Sequence, residues 1–216
     1  MRIDWQAIDH VFLDMDGTLL DLHFDNHFWH QVLPREYARI NGLTFESALK
    51  LLRIKFEAKQ GDLEWYCVDF WSQELQMDVM DLKHANPDKI ALRPDVPQLL
   101  EGLQRLDKKF ALVTNAHREV ISLKLGKTGL KEKFKKVYSS HDYGYAKESV
   151  TFWERFFDDV KFDPARTLFI DDSEPVLEAA EQFGIKWLRS ISVPDSAQPR
   201  TAPSRFVEID RFAEIL

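Results

Sequence analysis

The sequence predicts an α/β fold, a Rossmann-like parallel sheet interrupted by an all-helical insertion. Three observations predict it. From about Ile90 onward, short apolar runs alternate with stretches of helical period; residues 20 to 90 are helical in texture throughout; and the apolar runs end in polar residues. Strands that alternate with helices are parallel and joined by right-handed crossovers, so their C-terminal ends share one edge, where open α/β sheets bind ligands.

The first run, Val11-Phe12-Leu13, reads as a short buried strand leading into Asp14-Met15-Asp16-Gly17-Thr18-Leu19. Gly17 lets the backbone bend sharply after it. A surface turn accounts for the glycine and one aspartate, but not for an apolar strand aimed at two carboxylates. In the helical stretch that follows, Asp25 is expected to cap a helix running toward Pro34. Thr44 precedes a helix with Ala48, Leu51, Leu52 and Phe56 on its apolar face, and Gly61-Asp62 break the chain before a third helix. That third helix carries Trp65, Tyr66, Val68, Phe70, Trp71 and Leu75, a stripe better explained as the packed interior of the insertion than as rings that stack on a base. His23, His27 and His30 share a helical face; packing or exposure is preferred over zinc ligation, because no fourth ligand is evident nearby.

Past Ile90, Arg93-Pro94-Asp95 introduces a helix with Leu99, Leu100, Leu103 and Leu106 on one face. The strand Phe110-Ala111-Leu112-Val113 then ends in Thr114-Asn115. A helix from about Arg118 to Lys127 stops at Gly129, and Val137 to Ser140 makes a third strand. Next come Lys147, an amphipathic helix with Phe152, Trp153, Phe156 and Phe157, and the strand Thr167 to Ile170, which ends in Asp171-Asp172. Ser173-Glu174-Pro175 starts a helix, Phe183-Gly184 stops it, and Ile185 to Leu188 is a further strand. Residues 193 to 204, with their prolines and serines, read as a loop, and Phe206 to Leu216 as room for one short element.

Composition narrows the function. With 216 residues, 44% of them hydrophobic and 12% aromatic, the chain can bury a substantial core. A net charge of -7 disfavours a nucleic-acid polymer as partner but permits a small anionic substrate held by local positive charge. Cys67 is the one cysteine, which suits a reducing compartment. No leader pattern opens the chain and no apolar run approaches a membrane span, so a cytoplasmic location and no membrane contact are expected.

The convergent strand ends pose an electrostatic problem. Two like charges 4 Å apart repel by about 4 kcal/mol at an effective dielectric of 20, so Asp14, Asp16, Asp171 and Asp172 cannot gather ionised without a cation. Lys147 offers one positive charge and a divalent metal the rest; all-oxygen ligation points to Mg2+. Asp14 is then a nucleophile facing a phosphorus atom, with the Thr114 hydroxyl and backbone amides sharing the phosphate charge.

Asp14-Met15-Asp16-Gly17-Thr18, Thr114-Asn115, Lys147 and Asp171-Asp172 together resemble, in order, the four motifs of the haloacid dehalogenase-like (HAD) hydrolases. The resemblance implies an HAD-like Rossmannoid core over residues 1–20 and 91–216, with residues 21–90 as a C1-type helical cap. It further implies that Asp14 forms an aspartyl-phosphate and that Asp16 acts as general acid and then base. Thr114, Asn115 and Lys147 would bind phosphate, and Asp14, Asp16, Asp171 and Asp172 would serve Mg2+, with Asp172 the better candidate for direct ligation. Glu148 stands where many relatives have proline, which predicts a less rigid loop at Lys147. The stretches DMDGTLLDLHFDNHFW, WYCVDFWSQEL, LVTNAH and RTLFIDDSEPVLEAAEQFGI further resemble the bacterial 5′-nucleotidase branch of the family, implying a purine nucleotide such as GMP or IMP as substrate. A sugar-phosphate phosphatase or phosphomutase is the alternative within enzymes. A haloalkanoate dehalogenase has no need of Asp16, and a phosphate-accepting signalling module has no need of a helical lid.

Overall fold

The computed structural model describes residues 3–198 and 202–216; residues 199–201, within the expected loop at 193 to 204, lie outside the described residues. Six parallel strands form one sheet in the order β3-β2-β1-β4-β5-β6: β1 His10–Leu13, β2 Lys109–Thr114, β3 Val137–Ser139, β4 Thr167–Ile170, β5 Trp187–Ile191 and β6 Glu208–Ile209. The first strand therefore lies in the middle of the sheet, between β2 and β4.

Alternate residues of the central strands serve two apolar layers, as the two-residue period of a strand requires. Val11, Leu13, Leu112, Leu168 and Ile170 face one layer, which includes α6 Val96–Arg105 and α7 Arg118–Thr128. Phe12, Ala111, Val113 and Phe169 face the other, where α8 Val150–Val160 brings Phe152, Trp153 and Phe156, and α9 Glu174–Phe183 brings Val176, Leu177 and Ala180. Aromatic edges meet faces here: Phe12 contacts Phe156 with centroids 5.1 Å apart, and Trp153 contacts Phe169 at 4.9 Å.

The insertion is helical, as expected, with α1 His23–His27, α2 Leu33–Asn41, α3 Phe45–Glu57, α4 Val68–Leu75 and α5 Val79–Ala85. Several details depart from the sequence reading. Asp25 does not cap α1. Leu22 holds the N-cap position, Asp21 Oδ1 just before it accepts the His23 amide at 3.0 Å, and Asp25 lies inside the helix. A π-helical turn over Phe28–Val32 joins α1 to α2 without a break, so Pro34, which has no amide hydrogen to donate, is absorbed at the start of α2. Leu51 is 45% exposed while Ala48, Leu52 and Phe56 are buried.

Thr44 caps α3 as expected, accepting the Ser47 amide at 3.2 Å. The aromatic stripe from Trp65 divides into a 3-10 turn over Leu63–Tyr66 and α4, because Cys67 is extended between them. Trp71 is buried and donates its indole N–H to the Trp65 carbonyl at 2.9 Å, in keeping with the packing role assigned to the stripe. Downstream, β5 begins two residues later than expected and runs through Arg189, because Ser190 and Ile191 pair with β6. No helix among the described residues is long and apolar enough to cross a membrane.

Candidate active site

Register creates the site. Leu13 lies opposite Leu112 on one side and Ile170 on the other, so the next residues, Asp14, Val113 and Asp171, stand level across three neighbouring strands. Lys147 closes over this row. Its Nζ donates to Asp14 Oδ1 at 2.6 Å, to Asp171 Oδ2 at 2.7 Å and to the Val113 carbonyl at 3.0 Å, which uses all three ammonium hydrogens. Lys147 is 2% exposed and Asp171 1%.

Loss of water raises the carboxyl pKa of Asp14 against the pull of Lys147, and it raises that of Asp171 in the same way. Lys147 is desolvated as well, yet the two carboxylates outweigh that and hold its ammonium above the ordinary lysine value. Asp14, Asp171 and Asp172 each offer a carboxylate oxygen within 4.8 Å of the others. One ammonium cannot balance three carboxylates, and three hard oxygen donors suit a cation such as Mg2+, so the residues fit that group. Gly17 presses the loop after β1 against Asp172: its φ is +84°, and a Cβ there would overlap the Asp172 carboxylate.

The Lys147 loop is pinned instead of loosened by Glu148. Trp153 donates its indole N–H to the Lys147 carbonyl at 2.9 Å, and the Lys147 amide donates to Asn115 Oδ1 at 2.9 Å. Asn115 Nδ2 donates in turn to Glu148 Oε2 at 2.9 Å, while the Tyr66 hydroxyl, from the insertion, donates to Glu148 Oε1. A proline at 148 makes such a loop stiff by fixing φ; here a carboxylate tied from two sides does so by hydrogen bonding. Burial pushes the Tyr66 hydroxyl pKa up, and Glu148 pushes it further, which keeps it a donor. The Thr114 Oγ1 accepts the Ala116 amide at 3.1 Å and keeps its own hydrogen to donate.

Asp16 is directed elsewhere. Its Oδ1 accepts from Lys124 Nζ at 2.7 Å; Lys124 also donates to Asp25 Oδ2 at 2.5 Å, and Asp25 Oδ1 receives Lys83 at 3.3 Å. Both lysines are 1% exposed. Desolvation raises the Asp16 pKa, opposed by Lys124, whereas in Asp25 the two lysines outweigh desolvation and lower it. Burial pushes Lys83 down to about 8, with Asp25 opposing. The sequence reading missed this ladder. A signal was present: Lys124 falls on the same face of α7 as Val120, Ile121 and Leu125, and Lys83 on that of α5 with Val79 and Met80. A lysine in an apolar stripe needs a buried partner.

All seven residues expected at the site, Asp14, Asp16, Thr114, Asn115, Lys147, Asp171 and Asp172, line one cavity of about 270 Å3. Its other walls come from the insertion, chiefly Trp29, Phe56, Trp65, Tyr66 and Trp71. His23, His27 and His30 do not gather as ligands: His30 Nδ1 pairs with the Asn26 carbonyl at 2.9 Å and His23 faces Asp195 at 3.5 Å.

The comparisons agree with this geometry. GMP/IMP nucleotidase YrfG from Escherichia coli (strain K12) is 40% identical over 216 residues, covering 100% of this chain and 97% of that protein. A HAD phosphatase structure from Thermococcus onnurineus superposes with a TM-score of 0.77 at 21% identity, covering 96% of this chain and 95% of the other. L-2-haloacid dehalogenase from Xanthobacter autotrophicus shares the fold with a TM-score of 0.61 at 17% identity, covering 95% of each chain. The family model of the haloacid dehalogenase-like hydrolases matches residues 8–184, from just before β1 to the end of α9, and the chain belongs to that family of enzymes.

Proposed function

We propose that this chain is a Mg2+-dependent phosphatase that hydrolyses purine nucleoside 5′-monophosphates such as GMP and IMP through an aspartyl-phosphate on Asp14. The observation that carries the reading is the cavity itself, which is lined both by the row Asp14-Lys147-Asp171 and by the rings of Trp29, Phe56, Trp65 and Trp71. A charged row and flat rings in one cavity suit a molecule that carries both a phosphate and a base. The full-length likeness to a GMP/IMP nucleotidase supports the same substrate class.

In this reading a carboxylate oxygen of Asp14 attacks phosphorus while the bond to the 5′ oxygen breaks, and Asp16 gives its proton to that leaving oxygen. Water then attacks the phosphorus, Asp16 takes its proton, and the bond from phosphorus to Asp14 breaks to release phosphate. Lys147 orients Asp14 and shares the phosphate charge, and Thr114 donates its hydroxyl to a phosphate oxygen. Asn115 acts through the loop, since both ends of its amide are engaged there. A divalent cation held by Asp14, Asp171 and Asp172 supplies positive charge that lets a phosphate dianion approach three carboxylates. The helical segment at residues 21–90 serves as a cap that excludes water and selects the leaving group. One free cysteine, Cys67, suits work in the cytoplasm.

Phosphate release from a panel of monoesters tests the reading. IMP and GMP are expected within tenfold of each other in kcat/KM and well above AMP, UMP and sugar phosphates. Equal turnover of a sugar phosphate would defeat the purine assignment and leave the core chemistry standing.

A further inference from the structure

Lys83 is a buried cation that the phosphoryl chemistry does not use. It is 1% exposed, and its Nζ lies 4.0 Å from the ring centre of Phe28, 4.9 Å from Phe24 and 5.2 Å from Trp29. Among the described residues its hydrogen-bond acceptor is Asp25 Oδ1, at a long 3.3 Å, and the other oxygen of Asp25 is already held by Lys124 at 2.5 Å. An ammonium has three hydrogens to donate; ring faces attract its charge but accept no strong hydrogen bond. Among the described residues, two N–H groups of Lys83 are thus buried with no oxygen to receive them, a costly arrangement that an acceptor on a bound molecule would relieve.

Lys83 also lines the cavity that contains Asp14 and the aromatic walls. The contacts Asp16 to Lys124 at 2.7 Å, Lys124 to Asp25 at 2.5 Å and Asp25 to Lys83 at 3.3 Å link it, through two intervening side chains, to the carboxylate proposed to protonate the leaving oxygen.

We propose that Lys83 is the residue that determines base specificity, donating to the 6-oxo oxygen of a purine nucleotide seated against Trp29; this rests on the nucleotidase reading above. GMP and IMP both present that oxygen. AMP presents a 6-amino group, which sets one donor against another and leaves both unpaired. The 4-oxo oxygen of a pyrimidine is an acceptor too, but the smaller ring holds it closer to the ribose.

The test compares IMP with purine riboside 5′-monophosphate, which lacks only the 6-oxo function and the N1 hydrogen that accompanies it, in the wild type and in Lys83→Met. The wild type is expected to prefer IMP by at least about 10²-fold in kcat/KM, because a site that hydrogen-bonds a group strongly rejects the analogue lacking it. In Lys83→Met, shown to be folded by its thermal transition, that ratio is expected to fall below tenfold whatever the absolute loss. An unchanged ratio in the folded variant overturns the assignment. A wild-type ratio below tenfold overturns it too, and needs no variant. If the wild type turns over IMP well above sugar phosphates but treats IMP and the purine riboside ester alike, Lys83 alone is misassigned. If AMP matches IMP, the Lys83 assignment fails; if a sugar phosphate matches IMP, the nucleotidase reading itself fails.

Discussion

Lys124 holds Asp16 at 2.7 Å across 108 residues of sequence, and the same ammonium reaches Asp25 of α1 at 2.5 Å. The carboxylate proposed to move the proton is therefore gripped by a core helix that is itself bound to the insertion. Asp16→Asn is expected to slow hydrolysis by roughly 10²- to 10⁴-fold with poor leaving groups and far less with nitrophenyl phosphate. Lys124→Met is expected to show the same dependence on leaving group in weaker form, since it frees Asp16 without removing it. Rates across a series of leaving-group pKa values check both; a uniform loss across the series speaks against acid catalysis by Asp16.

Asp14→Asn keeps the shape of the side chain and removes the proposed nucleophile. Turnover is expected to fall to background while the far-ultraviolet circular dichroism and the thermal transition survive. Phosphate release near the wild-type rate, once deamidation back to aspartate is excluded by mass spectrometry, argues for another nucleophile.

Activity is expected to vanish on treatment with a chelator and to return with Mg2+, since Asp14, Asp171 and Asp172 together repel a phosphate dianion more strongly than Lys147 attracts it. Ca2+ is expected to inhibit, because its longer and looser coordination spoils in-line geometry. Protein shown by elemental analysis to be free of metal yet fully active is the contrary result.

Gly17→Ala is expected to destabilise the fold by about 1–3 kcal/mol, as positive φ is strained for alanine and its methyl group would strike the Asp172 carboxylate. Because the collision falls on a residue of the acidic cluster, activity should drop beyond what the loss of folded protein explains. Denaturant unfolding with parallel assays separates the two; a variant as stable and active as the wild type removes the argument for close approach.

Tyr66→Phe deletes the hydroxyl that ties the insertion to Glu148 and leaves the ring in place. A hydrogen bond to a charged acceptor contributes about 1.5–3 kcal/mol to stability, so the variant is expected to unfold more readily by up to that amount and, because the bond supports the Lys147 loop, to lose kcat/KM for a nucleotide beyond what the loss of folded protein explains. If Tyr66 and Glu148 do not support the Lys147 loop, the variant will match the wild type.

The central strands β1, β2 and β4 were legible in the sequence because each contains a compact apolar run, and the reactive row followed because its residues close those runs: Asp14 after Leu13, Asp171 after Ile170. Strand pairing carries the rest of that logic. The ladder Asp16-Lys124-Asp25-Lys83 was not legible in the same way, since it joins four elements by side chains and no period along the chain records which lysine meets which aspartate. Asp25 misled for a local reason. An aspartate near a helix start reads as a cap, and only the fold reveals two buried cations that compete for it. Glu148 misled through substitution logic, because stiffness lost with proline returned through Tyr66 and Asn115.

The place of β1 in the sheet also sets a timetable for biosynthesis. His10–Leu13 leaves the ribosome first among the strands, yet its neighbours begin at Lys109 and Thr167. At roughly 5–20 residues per second, Val11-Phe12-Leu13 waits on the order of ten seconds with both edges unpaired, while local helices of the insertion can already form. The nascent chain thus leaves this buried strand unpaired longest, and the row Asp14-Lys147-Asp171 is complete only when Asp171 arrives.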